Sequence, residues 1–157
     1  AVAIFRKGSV PEVEGISGYP APYNLGRGNL RYRHITEAGG LAQFGAALET
    51  LLPGGQSSQM HWEEHEDEFL YLLAGSLTVV EDGVETVIGP GDACCWKAGV
   101  PVAHCLKNHG DAPATYLIVG SRDPANVCHY PGLDLLATPR GYVHLDGTPY
   151  PKGESST

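Results

Sequence analysis

Positive charge is scarce in this chain. Ten Lys and Arg stand against 18 Asp and Glu, for a formal net charge of −8. No basic residues cluster, so the sequence offers no electrostatic surface for nucleic acid, and the acidity reads as solubility. No apolar run approaches the ~20 residues that cross a bilayer as a helix, and no membrane partner is expected. The four cysteines, Cys94, Cys95, Cys105 and Cys128, include no CxxC pair. This spacing argues against a zinc-thiolate site. The adjacent Cys94 and Cys95 would point to opposite faces of a strand. The cysteines read as free thiols of a reducing compartment, so a cytoplasmic location is expected. Neither an internal repeat nor a second domain is visible, and 157 residues suit one domain with a real core.

What the chain has in quantity is turn formers, 21 Gly and 12 Pro, which point to short strands rather than long helices. Between Phe69 and Val119 the runs FLYLL (69–73), LTVVE (77–81), VETVI (84–88), ACCW (93–96), HCLKN (104–108) and TYLIV (115–119) alternate with turn residues. A spacing of about ten residues is the mark of a β-sandwich or barrel. Asp82-Gly83 is a strong two-residue hairpin signal. The run LAQFGAALETLL (41–52) fits both a helical face and strand alternation, and periodicity does not choose. Residues 1–30, rich in Gly and Pro, suggest an extended arm, 31–125 the barrel, and 126–157 a polar, loop-like extension. In that extension YPGLDLL (130–136) could pack a short segment, and the end, KGESST, is expected to be disordered.

The chemistry concentrates in Gln59-Met60-His61-Trp62-Glu63-Glu64-His65-Glu66-Asp67-Glu68. On a strand, His61 and Glu63 project to one face, two rises of ~3.3 Å apart. A tight turn at 64–67 would fold Glu68 back toward them, and His104 lies on a later strand. Imidazole and carboxylate together suit Mn, Fe, Ni, Co or Zn. Taken alone, His61 would read as a surface histidine and Glu63 as a solvated acid. His65 reads as exposed, with an alternative role as a second imidazole ligand from this stretch. Glu64, Glu66 and Asp67 read as a solvated turn. Gln59, Trp62, Tyr71, Trp96 and Asn108 read as packing or supporting groups, and His34, His129 and His144 show no functional spacing.

These residues resemble the two cupin motifs. Gly55, His61, Glu68 and Gly75 hold the first motif's Gly, first His, Glu and second Gly at its spacing. Gly91, the Lys97-Ala98-Gly99 turn, His104 and Asn108 resemble the second motif's Gly, Pro-x-Gly, His and Asn. Two departures stand out. Glu63 replaces the first motif's second His, and Lys97 replaces a Pro, with two extra residues before His104. The resemblance covers about residues 40–120 and is nearest to small bacterial single-cupin proteins, often loosely described as sugar-phosphate isomerases or regulators.

The resemblance implies an all-β double-stranded β-helix, or jelly roll, with one divalent ion (Mn, Fe, Zn or Ni) on His61, Glu63, Glu68 and His104. It implies a homodimer in which N-terminal strands are exchanged to cover sheet edges, a use that suits the arm before residue 30, and a small-molecule substrate or ligand. The expected activity is a metalloenzyme of dioxygenase, isomerase or lyase type. A non-catalytic binding or sensing module with a structural metal, or a metal-free scaffold, are the alternatives.

Overall fold

The computed structural model describes residues 3–152. Thirteen strands and one short helix follow in chain order: β1 (Val13–Ile16), β2 (Arg27–His34), α1 (Ile35–Ala38), β3 (Phe44–Leu51), β4 (Trp62–Glu63), β5 (Glu68–Ala74), β6 (Leu77–Glu81), β7 (Val84–Ile88), β8 (Ala93–Trp96), β9 (His104–Lys107), β10 (Ala114–Ser121), β11 (Cys128–His129), β12 (Leu136–Thr138) and β13 (Gly141–Val143). They form a six-stranded sheet ordered β1-β2-β3-β10-β5-β8, a three-stranded sheet β7-β6-β9 and a four-stranded sheet β13-β12-β11-β4. Every neighbouring pair in these sheets is antiparallel. This is the jelly-roll architecture expected from the sequence. The end of the tail, from Gly153 on, lies outside the described residues, as does the disorder expected of it.

Side-chain alternation builds the core. Leu70 and Leu72 of β5, Leu77 and Val79 of β6, Leu106 of β9 and Tyr116 of β10 are buried together with Leu51 and Ala114. Period-two projection places Glu68 on the face of Leu70 and Leu72, His104 on the face of Leu106, and Glu49 on the face of Ala47 and Leu51. The apolar strands thus carry polar side chains into one end of the barrel. Residues 41–52, open between helix and strand in the sequence, contain β3, and tertiary pairing with β2 and β10 decides the matter.

The motif glycines have steric reasons. A Cβ on Gly55 would lie 2.9 Å from Leu51 Cδ1 and 3.0 Å from Asn29 O. Gly75 has φ +83°, and a Cβ there would collide with Pro113 O and lie 2.9 Å from Ala114 Cα. Asp82 (φ 45°) and Gly83 (φ 83°) turn β6 into β7 with both residues left-handed, as an Asp-Gly hairpin requires.

Among the described residues, both terminal segments hold more strand than their composition suggests. β1 pairs with β2, and β2 with β3, so much of the N-terminal segment extends the chain's own sheet. The residues after Gly120, loop-like by sequence, supply β11–β13, and β11 pairs with β4. Tyr19 of the N-terminal segment meets Tyr130 edge-on at 5.5 Å, in a second core with Cys128 and Leu135.

Candidate metal centre

His61 and His104 face each other across an isolated antiparallel bridge. Each backbone N–H donates to the other's carbonyl, at 3.2 and 2.9 Å. Residues so opposed project to the same side, and the imidazole centroids are 4.6 Å apart. Glu68, the first residue of β5, completes the group. Its Oε2 lies 3.0 Å from His104 Nε2 and 3.7 Å from His61 Nε2.

Hydrogen bonding and stacking orient the two rings. His61 Nδ1 is 2.9 Å from Gln59 O, an acceptor only, so Nδ1 carries a proton and Nε2 is the ring atom turned to Glu68. His104 lies flat on Trp96, with centroids 3.8 Å apart and planes within 4°. Its buried Nδ1 has no hydrogen-bond partner. Both Nε2 atoms point at the same carboxylate oxygen of Glu68, an arrangement in which a cation could replace the protons between them. His61, Glu68 and His104 place one donor atom each within 4.8 Å of one another. This donor set fits a borderline or hard divalent ion.

The electrostatics describe the same deficit of positive charge. Burial alone would raise the Glu68 pKa, but the hydrogen bonds and charges of His104 and His61 hold it down to about 2. Burial lowers the His61 pKa, and Glu68 more than reverses this, leaving it raised. Glu63 is pushed up to about 7 by burial, with Glu68 and Glu66 adding repulsion.

The structure places Glu63 at one side of this group. On β4 it pairs with Cys128 of β11, and its carboxylate shares a 4.8 Å neighbourhood with His61 and the Cys128 thiol. Burial pushes that thiol up to about 12. His65 belongs to neither donor group: its half-exposed ring reaches Glu64 Oε2 at 3.5 Å.

The supporting residues divide by contact. Gln59 donates to Tyr23 O at 2.9 Å and fastens the site loop to the N-terminal segment. Trp62 stacks on His129 at 4.2 Å, and His129 Nε2 lies 2.7 Å from Glu64 Oε1. Tyr71 faces outward on β5, 39% exposed, so it lines no pocket at the centre. Asn108 is a buried clasp. Its Nδ2 donates to Leu51 O and Ala112 O, and its Oδ1 accepts from Gly110 N. His144 pairs with Asp134 at 2.7 Å in the C-terminal extension.

Glu49 was not singled out by spacing. It sits opposite Tyr116 in the β3–β10 register, and the Tyr116 phenol donates to its Oε2 at 2.7 Å. Glu49 lines an interior cavity of about 120 Å³ together with His61, Glu68 and His104. Burial raises its pKa to about 7 against the lowering effect of Tyr116. The inward alternation Ala47-Glu49-Leu51 is the signal that would have found it.

Two larger cavities reach part of this group. One of about 260 Å³ opens past His34, Gly45, Glu66 and Arg122. Another of about 430 Å³ runs past Tyr19, Asp123, Cys128 and Tyr130. Both include His61 and Glu63. A further cavity of about 240 Å³, beneath the N-terminal segment, stands apart from the donors.

The cupin domain family model matches residues 47–120. A sugar phosphate isomerase of the cupin superfamily from Silicibacter pomeroyi is 33% identical, superposes with a TM-score of 0.83, and is matched over 94% of this chain and 96% of its own. The chain belongs to the cupin superfamily. Other cupin-like structures carry quite different names. A protein described as a predicted oxalate decarboxylase from Thermotoga maritima is 25% identical, with a TM-score of 0.60 over 75% of this chain and 97% of its own. A polyketide cyclase from Streptomyces resistomycificus shares the fold at 21% identity, with a TM-score of 0.60 over 78% of this chain and 81% of its own. No curated protein matches. The barrel is therefore common property, and function must be argued from the site.

Proposed function

We propose that this cupin is a metal-dependent enzyme acting on a small organic substrate, with isomerase-type proton transfer as its chemistry. The observation that carries the reading is the convergence of His61 Nε2, Glu68 Oε2 and His104 Nε2, with an open cavity of about 260 Å³ reaching His61 and Glu68 and one of about 430 Å³ reaching His61. His61, Glu63, Glu68 and His104 would hold one divalent ion of the Mn, Fe, Zn or Ni group. A bound ion supplies Lewis acidity to a substrate carbonyl or hydroxyl.

The chain's own groups supply the rest. Glu49 faces the interior cavity beside the donors and is held by the Tyr116 phenol, where it can accept or return a proton. Trp96 fixes the His104 ring, and the Gln59 carbonyl fixes that of His61. The apolar layer of Leu70, Leu72 and Leu106 closes the barrel behind the donors and keeps bulk water from that side. The resemblance to a sugar phosphate isomerase supports this reaction class.

Oxygen-dependent chemistry is the second reading. Glu63 and Glu68 together would lower an ion's effective charge and weaken its Lewis acidity, which favours redox use of Fe over hydrolysis. We propose a cytoplasmic location, in keeping with the four unpaired cysteines. Among the described residues, no helix is long and apolar enough to cross a membrane.

The experiment is deuterium wash-in. Protein loaded with Mn(II), Fe(II), Co(II) or Zn(II) is incubated in D2O with aldoses, ketoses and their phosphates, and exchange next to the carbonyl is followed by proton NMR. Exchange that requires metal and falls sharply in Glu49→Gln supports the reading. Oxygen uptake without exchange supports the second reading, and neither signal from fully loaded protein rejects both.

A further inference from the structure

Cys128 is the group at the centre that the cupin donor pattern does not use. The β4–β11 register sets it directly across from Glu63. Donor atoms of His61, Glu63 and Cys128 lie within 4.8 Å of one another, the same closeness that unites His61, Glu68 and His104. The cysteine is 7% exposed, and it lines the cavity of about 430 Å³ with His61, Glu63 and Glu66. It is therefore reachable by an ion without being open to bulk solvent.

We propose that His61, Glu63 and Cys128 form a second, thiolate-containing metal-binding mode, selective for thiophilic divalent ions of the Zn and Co type. It rests on the reading of this face as a metal centre. Zn–S and Zn–N bonds of ~2.3 and ~2.0 Å put tetrahedral donors roughly 3–4 Å apart, so closure asks about 1 Å of side-chain movement. Soft sulfur separates this set from the N/O set of His61, Glu68 and His104.

Both sets draw on His61. Its Nδ1 is committed to Gln59 O, so only Nε2 ligates, and one ion at a time can use it. The two modes therefore compete, and the identity of the ion selects between them. Binding forms a metal–sulfur bond, breaks the S–H bond and releases one proton to solvent, with no change in oxidation state. The carboxylates of Glu63, Glu66 and Glu68 oppose an isolated thiolate there but favour the incoming cation.

The probe is Co(II) alone, titrated into the full chain with bound metal measured in parallel. A sulfur-to-cobalt charge-transfer band in the near ultraviolet should grow to saturation at about one Co(II) per chain. His104→Ala should keep the band, because it damages only the N/O set. Cys128→Ser should lose the band while still binding Co(II) through that set. Should Cys128→Ser fail to fold, the Cys94→Ser/Cys95→Ser double variant carries the test, and the band must persist in it. Stoichiometric Co(II) without the band overturns the proposal and leaves the metal centre standing. A band that survives Cys128→Ser, or disappears with Cys94 and Cys95, also overturns it. No Co(II) binding at all removes both the proposal and the metal-centre reading.

Discussion

Replacing Asn108 by Ala tests whether the motif asparagine is structural. Asn108 is 1% exposed. Its side chain donates to Leu51 O at 2.9 Å and Ala112 O at 2.8 Å, and accepts from Gly110 N at 2.9 Å. Its backbone N–H donates to Gly55 O at 3.0 Å, which ties the two motifs together. Truncation removes three side-chain bonds of about 1 kcal/mol each and leaves their buried partners less well satisfied, adding about 1 kcal/mol. The sum is about 4 kcal/mol, a large part of a typical domain's 5–15 kcal/mol, roughly. In urea, with m of about 2 kcal/mol/M, the midpoint should fall by about 2 M at unchanged m. Unfolding should be measured on chelator-treated protein, so that metal linkage does not mask the loss. None of these contacts reaches the metal donors, so metal affinity of the folded variant should be unchanged. A loss under about 1 kcal/mol, or metal loss with stability retained, would refute the reasoning.

Glu49→Gln should flatten part of the pH dependence of stability in metal-stripped protein. The folded-state pKa of Glu49, raised from 4.5 to about 7, means the stabilisation is present below the unfolded value and lost as pH rises through about 7. Its share is about 3 kcal/mol across that window, read from urea midpoints between pH 4 and 8, roughly. An unchanged slope in the variant would show that Glu49 is not the group being forced to ionise. We propose that the protein is a homodimer, to be seen as twice the chain mass by light scattering. Deleting residues 1–28 removes β1 and bares the outer edge of β2, so the variant should be less soluble or lose the dimer. A soluble, stable monomer after deletion would contradict that role for the segment.

The barrel was legible because its strands are short, β-rich and separated by obligate turns, with Asp82-Gly83 the sharpest instance. His61, Glu68 and His104 were legible because motif spacing encodes a bridge, a strand start and a shared inward face. Glu49 was not, because residues 41–52 fit two periodicities, and only the β3–β10 register shows which face it occupies. Cys128 was hidden for a different reason. Its neighbour Glu63 is 65 residues earlier, and their meeting depends on β4–β11 pairing within a segment whose polar, Gly-rich composition reads as loop. The same non-local pairing brings His129 to Glu64 and Trp62. Short two-residue strands such as β4 and β11 leave almost no periodic signal to read.

The central claim is that His61, Glu68 and His104, with Glu63, are metal ligands. Elemental analysis of protein purified without added metal, paired with His104→Ala prepared identically, tests it most directly. The account predicts about one transition-metal ion per chain in the wild type, and in the variant loss of most of the Mn, Fe or Ni, with only Zn- or Co-type ions held by the Cys128 set. A wild type that is metal-free and takes up none of Mn, Fe, Ni or Zn when they are supplied would contradict it.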